Sequence, residues 1–332
     1  MDDLIVVREF EADVAPLTDD ARSAARVRLR RAILRDGHPR PLSRRLMLRV
    51  AVVGTATAVA AGGVAVAGLS QGGGGADGTR MATMSAAEVL HKAAARSRAD
   101  DAGTPVPRDD QYVYTKTRVT RTYDKGGKRK TWTDESWISV DGSKPSSRQE
   151  YGKVHRDPPL GKQEVRWPPT EYDELAKWPT DPDQLLDKLR GDRGPDDKVV
   201  EGKAGSGEVR ERPVRQADID REAFVNAVQF YVVPRIMPPG LEAGTFEAVA
   251  RIPGIRIDRE VVDGLGRRGV AVSYPGFDFA FIFDATDYTY LGLRLKGSTA
   301  DLVDGKVRHR DRYHETRARQ ELGVVDRIGQ RP

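Results

Sequence analysis

A run of twenty residues without a single charge, Val50–Leu69 (VAVVGTATAVAAGGVAVAGL), interrupts a chain in which 32% of the 332 residues are charged. At 1.5 Å per residue an α-helix of this length spans about 30 Å, the thickness of a bilayer's hydrocarbon core. We therefore expect one transmembrane helix over 50–69. Its apolarity is modest, since six Val and one Leu stand among seven Ala, four Gly and two Thr. Direction follows from the flanks. Arg30, Arg31, Arg35, Arg40, Arg44, Arg45 and Arg49 precede the run within twenty residues, and Arg80 alone follows within the next twenty. This asymmetry places the N-terminus in the cytoplasm and the bulk of the chain on the far side. The expected localisation is the cell membrane, single-pass, with most of the chain extracytoplasmic.

A cleaved export signal is the rival reading of the same segment. Ser43-Arg44-Arg45-Leu46-Met47-Leu48-Arg49 is similar to a twin-arginine motif, and Ala65-Val66-Ala67 is an acceptable cleavage site. More than forty residues stand before that motif, which favours retention as an anchor. Gly54, Ala58 and Gly62 form a small-residue row of the kind that packs two helices, but in a segment more than half Ala and Gly such rows arise by chance.

Residues 1–49 form a basic helical arm. Asp2–Ala12 is acidic, and beyond Pro16 a helix capped by Thr18 or Asp19 carries Ala21, Ala25, Leu29 and Ile33 on one stripe among many arginines. Such a helix can lie on anionic headgroups, or dock a cytoplasmic protein partner. Nucleic acid is not expected, because no recognition-type second helix follows before Pro39 and Pro41, and the formal charge of +5 is spread over 55 basic and 50 acidic residues. The absence of cysteine excludes disulfides, thiolate metal sites and thiol nucleophiles.

A glycine-rich tether covers 70–84, and we expect a single extracytoplasmic α+β domain over 85–332. Ser85-x-x-Glu88 is a capping box opening a helix to about Ala99. From Gln111 the period becomes two, and YVYTKTRVTRTY–DKGG–KRKTWTDESWISV reads as a hairpin turning at Gly126-Gly127, followed by one strand over about Arg148–Val154. Tyr112, Tyr114, Trp132 and Trp137 suit packing against a covered face. Short helices are expected over Thr170–Lys177 and after the Asp181 cap with Pro182 in its first turn. Gly191–Pro213 reads as an irregular surface excursion. Longer helices follow over about Ala217–Arg235 and from Leu241 to before Pro253-Gly254. The remainder alternates again over Ile255–Val262, Gly269–Tyr274, Asp278–Phe283 and Tyr288–Leu295, with a last hairpin from Lys306 to Asp326. Links this short require antiparallel pairing, so the fold class is α+β: an antiparallel sheet, half-barrel-like, covered by helices.

No established catalytic pattern is present: no GxSxG, HExxH, Walker lysine loop or GxGxxG. Gly205-Ser206-Gly207 lies in the excursion. His309 and His314, five apart on a strand, point to opposite faces and do not suit a shared metal. Asp134 and Glu135 near Trp137 read as solvated carboxylates beside a turn. No catalytic, cofactor-binding or metal residues are nominated, and we do not expect an enzyme.

The ordered set PPGLEAGTFEAVARIPGIRID (238–258), GRRGVAVSY (266–274), FDATDYTYLG (283–292) and GVVDRIGQRP (323–332), with Trp178-Pro179-Thr180-Asp181-Pro182 upstream, resembles an uncharacterised actinobacterial single-pass membrane protein family. Members are often encoded beside extracytoplasmic-function sigma factors, which implies a regulatory role. The resemblance brings no site residues, and the arm lacks the His/Cys zinc motif of many anti-sigma domains. Two functions are open at this point: a membrane-anchored sensor or regulator acting through its cytoplasmic arm, and an anchored half-barrel module binding a lipid or a peptide.

Overall fold

A computed structural model of the chain describes residues 84–103, 105–161, 166–191, 198–202, 209–303 and 306–332. The basic arm, Val50–Leu69, the tether up to residue 83 and Gly205-Ser206-Gly207 lie outside the described residues. Among those described, no helix is long and apolar enough to cross a membrane.

The first hairpin is β1 (Tyr112–Tyr123) and β2 (Arg129–Ser139). Gly126 and Gly127 adopt φ of 77° and 61° between them, the left-handed pair that a tight hairpin needs and glycine adopts without strain. The alternation predicts one strand next; the chain instead makes two, β3 (Ser146–Glu150) and β4 (Lys153–Asp157). Tyr151 and Gly152 reverse it, with Tyr151 at φ 53°, a conformation a tyrosine seldom advertises. The expected excursion likewise contains a small separate hairpin, β5 (Lys198–Gly202) with β6 (Val209–Pro213).

The later strands are β7 (Arg256–Val262), β8 (Arg268–Ser273), β9 (Phe279–Asp284), β10 (Tyr290–Val303) and β11 (Lys306–Val325). The expected hairpin inside 306–326 is corrected: this is one continuous strand, since no Gly or Pro occurs in it before Gly323, and its hairpin partner is β10. Nine antiparallel strands form one open sheet in the order β4-β3-β2-β1-β11-β10-β9-β8-β7. It is two meanders joined where the first strand of the set meets the last, from Tyr112↔Val325 to Tyr123↔Tyr313.

Among the described residues five α-helices accompany the sheet. In α1 (Ala86–Asp100) the expected box is present: Ser85 Oγ accepts from the Glu88 N–H at 3.2 Å, and Glu88 Oε2 accepts from the Ser85 N–H at 2.6 Å. The short α2 (Tyr172–Ala176) precedes α3 (Pro182–Arg190), which Asp181 caps through two N–H groups. They are followed by α4 (Gln216–Val232) and α5 (Leu241–Ala250). Arg98 holds Glu247 with two parallel hydrogen bonds of 2.9 and 2.7 Å, fastening α1 to α5.

These helices cover one face of the sheet. Phe224, Phe230 and Phe246 from α4 and α5 join Phe281 and Phe283 of β9, all at most 1% exposed. Ring centroids 5.0 Å apart for Phe246 and Phe283, and 5.7 Å for Phe224 and Phe281, meet edge to face. Each such side chain stabilises the fold by about 1.5–3 kcal/mol through burial.

On the other face a smaller cluster of Val261, Ala271, Ala280, Ile282 and Leu291 is sealed by the sheet bending over itself. Arg294 on β10 reaches Asp258 on β7 at 2.6 Å, although three strand spacings would separate them by about 14 Å in a flat sheet. Gly264 in the β7–β8 turn sits where an added Cβ would lie 2.9 Å from the carbonyl oxygen of Arg118, so only glycine permits that closure. The last residues cover the same face over β1 and β2. Trp137 Nε1 donates to the Gln330 carbonyl at 2.6 Å, and Arg331 pairs with Glu135.

Candidate functional site

Strand β11 is the fifth of nine, so its helix-side residues should be the most deeply covered, as Glu315 is. Arg317 is the exception. Arg317 pairs across β10 with Leu293, a core residue, and across β1 with Val119, which places it on the helix side. Its side chain is nevertheless 45% exposed. The helical layer therefore stops short of the centre of the sheet.

The facing wall comes from the β3–β4 turn. Strands β2 and β3 pair only at Ser136↔Arg148 and Trp137↔Ser147, which leaves the β3–β4 tip free to fold over the sheet. Tyr151 at that tip stacks on Trp132 of β2, with centroids 4.3 Å apart and planes at 22°, and its N–H donates to Asp134 Oδ1 at 3.1 Å. The aromatic helix core and this turn thus flank the partly exposed Arg317, and the strip along β11 and β1 between them is termed the trough.

The floor of the trough is charged. Arg121 of β1 donates from Nε to Glu315 Oε2 at 2.7 Å, and Arg317 Nε donates to the other oxygen at 2.7 Å. Glu315 is fully buried and Arg121 nearly so. Aromatic rings enclose the Arg121 guanidinium: its carbon lies 3.7 Å from the centroid of Tyr313, 4.8 Å from Tyr151 and 5.6 Å from Trp132. Burial among rings strengthens such contacts, because the cation's competing hydration is removed. Further along the strand, Arg319 lies over the Tyr290 ring at 4.9 Å.

Asp134 shares this wall. Its Oδ2 accepts from Trp132 Nε1 at 2.9 Å, yet burial outweighs that hydrogen bond and pushes its carboxyl up to about 6. Tyr151 and Tyr313 have hydroxyls pushed above the ordinary range, again mainly by burial.

The guanidiniums of Arg317 and Arg319 and the neighbouring aromatic faces are groups that can grip an anionic or unsaturated group, while the helix core supplies an apolar flank. The pairs that line the trough are carboxylate with guanidinium, not nucleophile with base. Among the described residues no group of three or more His, Asp or Glu could hold a metal.

The residues singled out from the sequence divide between the two faces. Tyr112, Tyr114 and Trp137 cluster with Val325 beneath the C-terminal segment, as core. Trp132 does not join them and forms the wall of the trough instead. The two adjacent carboxylates separate: Glu135 binds Arg331 and the Tyr114 hydroxyl on one face, and Asp134 lies in the trough. The reading of both as solvated carboxylates beside a turn is corrected: both lie within β2, the β3–β4 turn folds over Asp134, and the Glu135 side chain is largely covered by its bonds to Tyr114 and Arg331. His314, near the middle of β11, faces Asp124 just past the end of β1 at 3.4 Å. Arg121, Tyr151, Glu315 and Arg317 were not legible as a site, although Tyr313, Glu315, Arg317 and Arg319 recur at period two.

No family model and no curated protein matches the chain. A solved structure of a LolA superfamily protein from Nitrosomonas europaea aligns with 74% of this chain and 95% of its own, at 5% sequence identity and a TM-score of 0.18, too low for the likeness to carry an argument.

Proposed function

We propose that the chain is a membrane-anchored binding module, not an enzyme, whose portion from residue 85 onward holds an amphipathic ligand, a lipid or a peptide, across the trough at the centre of the sheet. The exposure of Arg317 in the central strand carries this reading. A sheet that only needed a filled core would have its middle strand covered. The ligand's anionic part would face Arg317 and Arg319, and its apolar part the rings of Tyr151 and Trp132. Anchoring by Val50–Leu69 and an extracytoplasmic position follow from the flanking arginines.

Coupling of ligand occupancy to the basic arm would make the same protein a sensor or regulator. The acidic-then-arginine-rich layout of residues 1–49 and the family resemblance support that extension.

The test is a photo-reactive benzoylphenylalanine placed at Tyr151 in the full chain, irradiated in the producing cells. The expected product is an adduct whose mass identifies a lipid or a peptide. The same substitution at Val262, 56% exposed on β7, is the control. Adducts no more abundant at Tyr151 than at Val262 would refute the trough as a binding site.

A further inference from the structure

Past the end of α4 the chain continues extended, with Val233 at φ −104° and ψ 126°, and leads Arg235 into the interior. Ile236 pins the segment by packing with Val113 and Val140, against Tyr172. Arg235 is only 5% exposed. Its guanidinium carbon lies 5.4 Å from the Phe230 centroid, and its Nε and Nη1 are buried with no hydrogen-bond acceptor among the described residues. A guanidinium has five N–H donors and loses its hydration on burial, so this arrangement is costly without a partner.

A second cation, Arg166, acts on it through its charge. Arg166 is held by the Ser139 carbonyl at 3.3 Å and Thr170 Oγ1 at 3.4 Å. Burial, then the charge of Arg166, pushes the Arg235 guanidinium down to about 9, with Glu171 and Tyr231 as the opposing influences. Glu171 is one carboxylate whose charge acts on both guanidiniums, and its Oε2 already accepts from the Thr170 N–H at 2.9 Å. Arg235 is thus under-compensated where it is largely out of water, with the part-buried Arg166 adding a second positive charge.

We propose that Arg235 and Arg166 form a buried site for one oxyanion, a carboxylate or a phosphate, supplied free or as a lipid headgroup. The planar forks of two arginines match the paired oxygens of either group. Phe230 beneath Arg235 restricts the site to a small head, since the ring blocks one face of the guanidinium. The site stands on different residues from the trough and does not depend on it.

The experiment is thermal unfolding of the full chain at constant ionic strength, with chloride replaced stepwise by inorganic phosphate or acetate. In separate arms it is reconstituted in phosphatidylglycerol or phosphatidylcholine vesicles. A ligand that binds only the folded state raises the midpoint with the logarithm of its concentration. The expected result is such a rise with phosphate or acetate if the anion is free, or with phosphatidylglycerol alone if it is a headgroup. Arg235→Met, which keeps the side-chain length without the charge, should abolish the response. A wild-type midpoint indifferent to every arm, or an equal response in the variant, would overturn the site. Should Arg235→Met not fold, Arg166→Gln replaces it, with at least a threefold weaker apparent affinity expected and an unchanged affinity refuting. Loss of the anion response with photo-crosslinking at Tyr151 intact would count against this site alone, and the converse against the trough alone.

Discussion

Glu315→Gln is the perturbation most exposed to failure, because the trough's floor depends on a carboxylate that has no contact with water. Glu315 is 0% exposed and serves two guanidiniums, Arg121 with a 10% exposed side chain and Arg317 at 45%. Removing one partner of a buried ion pair costs about 3–5 kcal/mol, since the other charge is left uncompensated. The lower end applies here: the Gln oxygen still accepts one hydrogen bond, and Arg317 can turn to solvent. A loss of about 3 kcal/mol corresponds to a fall in Tm of roughly 6–12 °C for a domain of this size. The internal control is Lys116→Gln on β1, which breaks the pair with Glu321 at 2.9 Å between side chains 31% and 43% exposed. An exposed pair of that kind contributes about 0–1 kcal/mol. Replacing the two buried partners, Arg121→Met with Glu315→Leu, should recover most of the loss, because the one charge left, Arg317, is 45% exposed and can turn to solvent. Denaturant unfolding followed by tryptophan fluorescence reads all four proteins, Trp132 lying against Arg121. If Glu315→Gln costs no more than Lys116→Gln, the pair is wet and the description of the trough floor is wrong.

Asp134 contributes a pH dependence of unusual sign. Its folded carboxyl is raised to about 6 against about 3.9 when unfolded, so the native state keeps a proton that the unfolded chain releases. Its contribution is complete below about pH 4, is lost as pH rises through about 6, and is level above. Asp134→Asn should therefore gain on the wild type between pH 4 and 6.5, by about 1–2 kcal/mol after allowance for partial exposure; a difference independent of pH would refute the assignment. Gly292→Ala places a Cβ against the backbone carbonyl of Arg317, at a φ of 145° that a side chain rarely adopts. The expected outcome is loss of folded protein by near-ultraviolet circular dichroism, and a native spectrum would contradict the β10–β11 register. Ser85→Ala removes one half of the capping box and should cost about 1 kcal/mol, read as a shift in denaturant midpoint with unchanged slope.

What could be read in advance was whatever local chemistry dictates. The Ser85–Glu88 box, the Asp181-Pro182 start of α3 and the Gly126-Gly127 turn each satisfy backbone groups within a few residues, and each is found where expected. Alternation likewise located β7, β8 and β9 to within two residues. The failures share a non-local cause. Strand β11 runs unbroken because β1 and β10 flank it, and neither neighbour is visible from 306–325 alone. Tyr151 turns the chain at a positive φ that its side chain does not announce, and that turn half-buries Asp134. Charged residues on alternate positions of a strand ordinarily mean solvent, so Arg121 and Glu315 gave no sign of meeting across two strands. Arg235 follows a helix among prolines, and its burial depends on Ile236 packing against β1.

The central claim is that the middle of the sheet is open on its helix side and lies outside the cell. A chain without cysteine allows this to be measured with one thiol at a time. Cells producing full-length Arg317→Cys are treated with a membrane-impermeant maleimide, with Ala318→Cys as the control one residue along the same strand, where the native side chain is fully buried. The account predicts rapid labelling at 317, slow labelling at 318, and slower labelling at 317 once a crosslink-identified ligand is supplied. Equal protection of both positions in intact cells, persisting after the membrane is permeabilised, would contradict the open trough; labelling at 317 only after permeabilisation would contradict the orientation.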